Sequence, residues 1–278
     1  MKKITVVIPC FNQGHFIDDA LNSLQNCNAN LFDIIIVNDG STDEKTNERL
    51  HQLLQQGYNV IQQQNKGLGE ARNTGIKLAT TPYILPLDAD NKILPAYIEQ
   101  AILILDVQPS TAVVYGNANY FGEKKGLLKP GIFNLQRLML GNYIDACAVI
   151  RKSVLLEVEM YDNMKIMGYE DWDLWLKIAF NNYKLHYVDE VLFEYRVSQN
   201  SMMKNVNVNI KKQNEIEDYF TQKYASKLDF EYAFNRILYQ IKRKPFKFIR
   251  YIILKNCFPS YYNKLIKENR IHKNFIYG

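Results

Sequence analysis

Short apolar runs alternate with helical patterns through the first ninety residues, and this order constrains the fold more than any other feature. Ile4-Thr5-Val6-Val7-Ile8 is β-branched and strand-like and ends at Pro9, after which Phe16, Ile17, Ala20, Leu21 and Leu24 recur at helical spacing. A second strand of the buried type, Ile34–Val37, stops at Asn38-Asp39-Gly40-Ser41-Thr42. Ser41 with Glu44 three residues on has the form of a capping box, which predicts a helix from there through Leu50, Leu53 and Leu54. Tyr58–Ile61 reads as a third strand, Gly67–Ala79 as a third helix and Tyr83–Leu87 as a fourth strand. Such alternation builds an α/β fold: a Rossmann-like, mostly parallel central sheet with flanking helices, whose ligands bind beyond the carboxyl ends of the strands.

Beyond residue 91 the pattern predicts a helix over Pro95–Leu105, a strand over Ala112–Tyr120 and a polar loop over Gly122–Gly131. Next come a short helix at Asn134–Leu140, a strand at Ala146–Ile150, a short helix at Ser153–Val158 and a helix opening at Glu170. Leu185–Val188 and Val191–Tyr195 read as two short strands, and from about Asn207 the pattern is helical, interrupted by Pro245 and Pro259. The expected division is an α/β domain over 1–205 and a basic helical C-terminal extension over 206–278. Residues 232–278 hold 11 Lys/Arg and one acidic residue, a local +10, leaving 23 basic against 28 acidic residues elsewhere. A basic tail interleaved with apolar residues suits an anionic membrane surface or, equally, a helical cap that leaves its charges in water. No nucleic-acid motif accompanies it. Four dispersed cysteines and the lack of a signal-peptide pattern or a run of about 20 apolar residues point to a cytoplasmic protein, peripheral if membrane-associated.

The chemistry sits in loops after strands. Asp88-Ala89-Asp90 places two carboxylates where an apolar run ends, and alternation along a strand points both the same way, which suits Mg2+ or Mn2+ carrying a diphosphate. A solvated turn is the plainer account of the same residues. Asp39 either holds the N–H of a pyrimidine or makes a simple Asp-Gly turn. Lys66 and Arg72 flank a glycine-bearing helix start that could meet phosphate, although the spacing matches neither common phosphate-loop fingerprint. Glu170-Asp171 opens a helix bearing Trp172 and Trp175; the acidic pair suits the helix dipole in any case, or supplies a general base with aromatic faces nearby for a sugar ring.

Taken together these segments resemble the inverting glycosyltransferases of family 2, which have the GT-A fold. The resemblance spans about residues 4–200. Val6-Val7-Ile8-Pro9-Cys10-Phe11-Asn12 is similar to the opening strand and nucleotide-contacting loop, and Val37-Asn38-Asp39-Gly40-Ser41 to the segment whose Asp holds uracil. Lys66 through Gly75 looks like the Gly-x-x-x-Ala-Arg-Asn-x-Gly helix, which implies Arg72 near the nucleotide or its phosphates. Asp88-Ala89-Asp90 resembles the Asp-x-Asp motif, implying Asp88 near the ribose and metal and Asp90 on the metal; Glu170-Asp171 resembles the pair whose Asp is the base. Tyr195-Arg196-Val197-Ser198 departs from a motif often reading Tyr-Arg-x-His, and Ser198 stands where the His can complete the metal site.

The resemblance implies transfer from a nucleotide diphosphate sugar, foremost a UDP-sugar, to a hydroxyl of a glycan or lipid-linked acceptor with inversion, as in cell-surface polysaccharide synthesis. Two other classes share parts of the pattern. One is a nucleotidyltransferase making a nucleotide sugar, whose Gly-rich basic loop after strand one is here replaced by Pro9-Cys10-Phe11-Asn12-Gln13. The other is a non-catalytic membrane-binding protein built around the tail.

Overall fold

A computed structural model describes residues 1–164, 168–198, 210–227, 234, 237–238, 241–242, 245–268 and 270–271. The chain forms two compact units, Met1–Gln199 and Asn200–Gly278. The expected boundary at 205–206 lies outside the described residues.

The first unit is built on a nine-stranded sheet. Four strands are parallel neighbours in the order β3-β2-β1-β4: β1 is Ile4–Cys10, β2 Phe32–Asp39, β3 Asn59–Gln63 and β4 Tyr83–Pro86. The other side is mixed. β8 (Val149–Arg151) runs antiparallel between β4 and β6 (Thr111–Gly122), while β9 (Lys184–Val197) is parallel to β6 and antiparallel to β5 (Lys92–Ile93). β1, buried at every residue, lies in the parallel half as its unbroken apolar run requires.

Helices α1 (Ile17–Gln25), α2 (Glu44–Gln55), α3 (Leu68–Leu78) and α4 (Ala96–Val107) cover the sheet, followed by α5 (Leu135–Leu140), α6 (Lys152–Glu157) and α7 (Glu170–Phe180). Helix α3 lies close on β1 because Gly75 has no side chain: a Cβ there would stand 2.3 Å from Val7 Cγ1.

Four expectations are corrected. Strand β1 runs through Pro9, which pairs with Val37. Val7 turns its carbonyl to Leu87 of the β4 side, so Pro9, two residues on, faces the same side where β4 has ended and no ladder donor is missed. Helix α2 is capped by Asp43, whose carboxylate accepts from Thr46 N at 2.8 Å; Ser41 Oγ instead accepts from Asn12 N at 3.0 Å. The loop over 122–131 contains β7 (Gly126–Leu128), a hairpin partner of β6. The two strands expected near 185–195 are one, since register shifts opposite Gly116 and Asn117 absorb the irregularity without ending the pairing.

In the second unit the described helices are Ile210–Lys223, Pro245–Cys257 and Pro259–Lys267, with a short 3-10 turn at Ala225–Lys227. Tyr251 and Tyr262 meet edge to face at 5.7 Å between the last two helices. No helix among the described residues is long and apolar enough to cross a membrane.

Candidate active site

Asp88 and Asp90 follow β4 in a turn closed by Asn91 N donating to Asp88 O at 3.0 Å. The two carboxylates have different surroundings. Asp88 accepts from Arg72 Nη2 at 2.7 Å, and the guanidinium, 2% exposed, also reaches Glu170 Oε1 at 3.6 Å and lies 5.3 Å from the centre of the Tyr161 ring. Arg72 therefore ties the Asp88 turn to the start of α7, and its fork is committed to protein carboxylates. The Asp90 carboxylate has no ion pair or side-chain partner among the described residues. Burial and then the charge of Asp88 push its pKa up to about 6. A partly buried carboxylate held negative beside another is costly without a counter-charge.

These donors fit a Mg2+ or Mn2+ ion. Oxygen is their preferred ligand, and such ions keep several positions for water and substrate phosphates. Among the described residues no group of three or more His, Cys, Asp or Glu could hold a metal.

Around the other parallel strands, loop chemistry dominates. Asp39, 3% exposed, accepts from Gln63 Nε2 at 2.7 Å, Lys66 N at 2.8 Å and Gly67 N at 2.9 Å. It thereby draws the α3 entry against the end of β2, where Gly40 at φ +69° lets Asn65 N come within 2.6 Å of where a Cβ would sit. Lys66 is exposed, and its ammonium makes no ion pair among the described residues. Pro9 is buried in β1. Asn12, at φ 55°, accepts from Thr42 N at 2.8 Å and Asp43 N at 2.9 Å, which joins the loops after β1 and β2. Beside it Phe11 is 43% exposed and presents a ring at the carboxyl end of β1.

At the start of α7, Asp171 accepts from Trp172 N through Oδ1 and from Asn142 Nδ2 through Oδ2, both at 2.8 Å. Desolvation, with the neighbouring charge of Glu170, pushes its pKa up to about 8. Glu170 is buried, accepts from Gly168 N at 2.6 Å and faces Arg72, so it builds the junction. Trp172 and Trp175 are 3% and 0% exposed and donate their indole N–H to Leu138 O and Ile144 O. The expectation that their faces await a sugar is corrected: the rings are core, and they hold the 138–144 segment, Asn142 included, beside Asp171.

Two further residues join the site. Asn142 is 29 positions from Asp171, and no local pattern marks it. Asp145 precedes β8, whose antiparallel register against β4 (Ile84 with Ile150) carries it back toward the Asp88 turn. Burial and the charge of Asp88 push the Asp145 pKa up to about 7. Its position four residues before β8, at the entrance rather than the exit of a strand, is why strand-end reasoning passes over it.

Residues 5–158 match the family model "Glycosyl transferase family 2". An uncharacterized glycosyltransferase of Methanocaldococcus jannaschii is 25% identical over 231 residues, covering 79% of this chain and 78% of that protein. Glycosyltransferase GlyA of Streptococcus pneumoniae is 27% identical over 226 residues, covering 72% of this chain; the chain spans 31% of that longer protein. Among solved structures, S. aureus TarS 1-349 in complex with UDP-GlcNAc aligns with TM-score 0.64 at 18% identity, over 84% of this chain and 70% of that one. Mannosyltransferase PcManGT from Pyrobaculum calidifontis, in complex with GDP-Man and Mn2+, aligns with TM-score 0.59 at 16% identity, over 80% and 64%. At these identities the structures speak for the fold. With strand-end carboxylates on that fold and a family model covering more than half its length, this chain belongs to glycosyl transferase family 2, as a glycosyltransferase of GT-A fold.

Proposed function

We propose that this protein transfers a sugar from a UDP-sugar to an acceptor hydroxyl with inversion, in the synthesis of a cell-surface glycan, using Mn2+ or Mg2+ at Asp90 and Asp88 and Asp171 as general base. The observation that carries the reading is the contrast between the carboxylates. The Asp90 carboxylate has no ion pair or side-chain hydrogen bond among the described residues, while Asp171 is held by two hydrogen bonds with its pKa raised toward the working range of a base.

In this reading Asp39 and the exposed ring of Phe11 receive the base of the nucleotide, and Lys66, whose ammonium makes no ion pair among the described residues, takes a phosphate. Arg72 acts from below by holding Asp88 in place. Asp90 and Asp88 would hold the cation, which would supply the positive charge that offsets the charge growing on the departing diphosphate. Asp171 takes the proton of the acceptor hydroxyl as its oxygen forms the new bond to the anomeric carbon and the bond to the diphosphate breaks. A single displacement of this kind inverts the centre and requires a positioned base and a stabilised leaving group, with no enzyme nucleophile. Support for a nucleotide-sugar donor comes from the UDP-GlcNAc bound to TarS and the GDP-Man and Mn2+ bound to PcManGT.

The test is a thermal-shift screen of UDP-, GDP- and dTDP-sugars with and without Mn2+, since a ligand that binds only the folded state raises the midpoint. A UDP-sugar should stabilise only with the metal, and Asp90→Asn should remove most of that effect. Equal stabilisation in chelator would exclude the cation role. Product analysis then separates release of nucleoside diphosphate from the pyrophosphate of a nucleotidyltransferase, and the anomeric configuration of the product reports inversion.

A further inference from the structure

We infer that Arg196 is a positioning residue for the cation site, one that fixes the turn from which Asp90 projects. The inference rests on the cation reading of Asp88 and Asp90. Because the Asp90 carboxylate has no side-chain partner among the described residues, its direction is set by the backbone that carries it. Residue 196 holds that turn at two points: the Arg196 Nε donates to the Asp90 carbonyl at 3.1 Å, and the backbone N of Arg196 donates to the Asn91 side-chain Oδ1 at 2.9 Å. Asn91 is 1% exposed, and the hold spans about a hundred residues of sequence.

The guanidinium is itself immobilised. Its Cζ lies 4.4 Å from the Phe16 ring and 4.4 Å from the Phe121 ring, and its Nη2 pairs with Asp19 of α1. Lys92, next after Asn91, pairs with the same Asp19 at 3.6 Å and lies over Phe121 at 4.8 Å. The general placement of this chain segment does not need Arg196, since β5 and β9 already pair at Lys92 with Glu194 and Ile93 with Phe193, and Leu94 N donates to Leu192 O. What Arg196 adds is the aim of the turn. Its Nη2 pairs with Asp19 and its Nε bonds the Asp90 carbonyl rather than the carboxylate, so its charge favours the ionised carboxylate without occupying it. Partners one shell behind a metal ligand commonly govern affinity by about 10- to 100-fold.

Lysine distinguishes aim from charge. Arg196→Lys can keep the pair with Asp19 but cannot sit as a planar fork between two rings while donating an in-plane N–H to the Asp90 carbonyl. With the full-length protein and UDP present, free Mn2+ is followed by electron paramagnetic resonance, with no acceptor and no turnover. Arg196→Lys should bind Mn2+ about tenfold more weakly, with its metal-free unfolding midpoint close to that of the parent. Phe16→Leu, which keeps apolar volume and removes one stacking face, should weaken Mn2+ binding to a smaller degree and covers the case in which Arg196→Lys folds poorly. Parental Mn2+ affinity in Arg196→Lys, or in a Phe16→Leu variant standing alone, would overturn the inference and leave Arg196 a partner of Asp19. Absence of Mn2+ binding by the parent protein, with UDP or GDP, would instead overturn the cation reading beneath it.

Discussion

Asp171 and Asp90 are both aspartates at element ends, yet burial and neighbours hold them at different pKa values, about 8 and about 6. A base must be ionised before it can accept a proton. In the free enzyme, kcat/KM should therefore rise with pH through about 8, with its acid limb well above the ordinary carboxylate range, and a pH profile at low donor concentration reads it. Asp171→Asn should lower kcat by roughly 10²–10⁴-fold while leaving donor affinity nearly unchanged. A variant retaining most of its turnover would move the base elsewhere. The same shift has a stability consequence of opposite sense. An acid whose pKa is raised by folding contributes stability below its unfolded value of about 4, and loses it as pH rises through the folded value. Asp171→Asn should flatten the fall in melting midpoint between pH 5 and pH 8 in metal-free buffer, which thermal melts across that range would register.

At the scale of elements, the contact of α3 with β1 is the one the site depends on most directly. The helix delivers Arg72 to Asp88 and Asn73 to the Tyr161 backbone, with Asn73 Nδ2 donating to Tyr161 O at 2.8 Å and Oδ1 accepting from Tyr161 N at 3.0 Å. Its closeness to the sheet requires Gly75. Gly75→Ala would put a methyl 2.3 Å from Val7 Cγ1, on a central strand with no room to yield. Overpacking of this kind costs about 1–3 kcal/mol, so urea unfolding should show a lower midpoint with an unchanged slope. Activity should fall further than stability alone accounts for, because a displaced α3 shifts Arg72 and with it Asp88.

For the whole molecule, the open question is the partner of the second unit. In the helix Pro245–Cys257, Phe246, Ile249 and Ile253 recur at helical spacing and are 86%, 55% and 46% exposed, with Lys247 and Arg250 on the flank. Exposed apolar residues bordered by cations suit a membrane interface, where each basic residue near anionic lipid is worth about 1 kcal/mol. A membrane-held catalyst would also suit a lipid-linked acceptor. The full-length protein should float with phosphatidylglycerol vesicles at low salt, release at high salt and ignore neutral vesicles, and Lys247→Gln with Arg250→Gln should weaken the association. No flotation at low salt would favour the helical-cap account of the same residues.

The α/β order was legible because buried parallel strands demand unbroken β-branched runs such as Ile34–Val37, and helices demand the spacing of Phe16 through Leu24. Both are local requirements, visible without knowing what each segment touches. Asp88-Ala89-Asp90 and Glu170-Asp171 stood out for the same reason, since each is a compact pattern at the end of an element. Partnerships were not legible. Whether Ser41 or Asp43 caps α2 was settled by the loop that brings Asn12 across to Ser41. The burial of Trp172 and Trp175 was settled by the carbonyls of Leu138 and Ile144 arriving above them. Asn142 reaches Asp171 because the indoles of Trp172 and Trp175 hold the 138–144 segment, and Arg196 reaches Asp90 because β9 pairs with β5. By itself the sequence determined the order of the main strands and helices and where the carboxylates stand. The tertiary structure decided which groups each carboxylate meets, because hydrogen-bond partners and desolvation depend on segments whose separation along the chain carries no local signal.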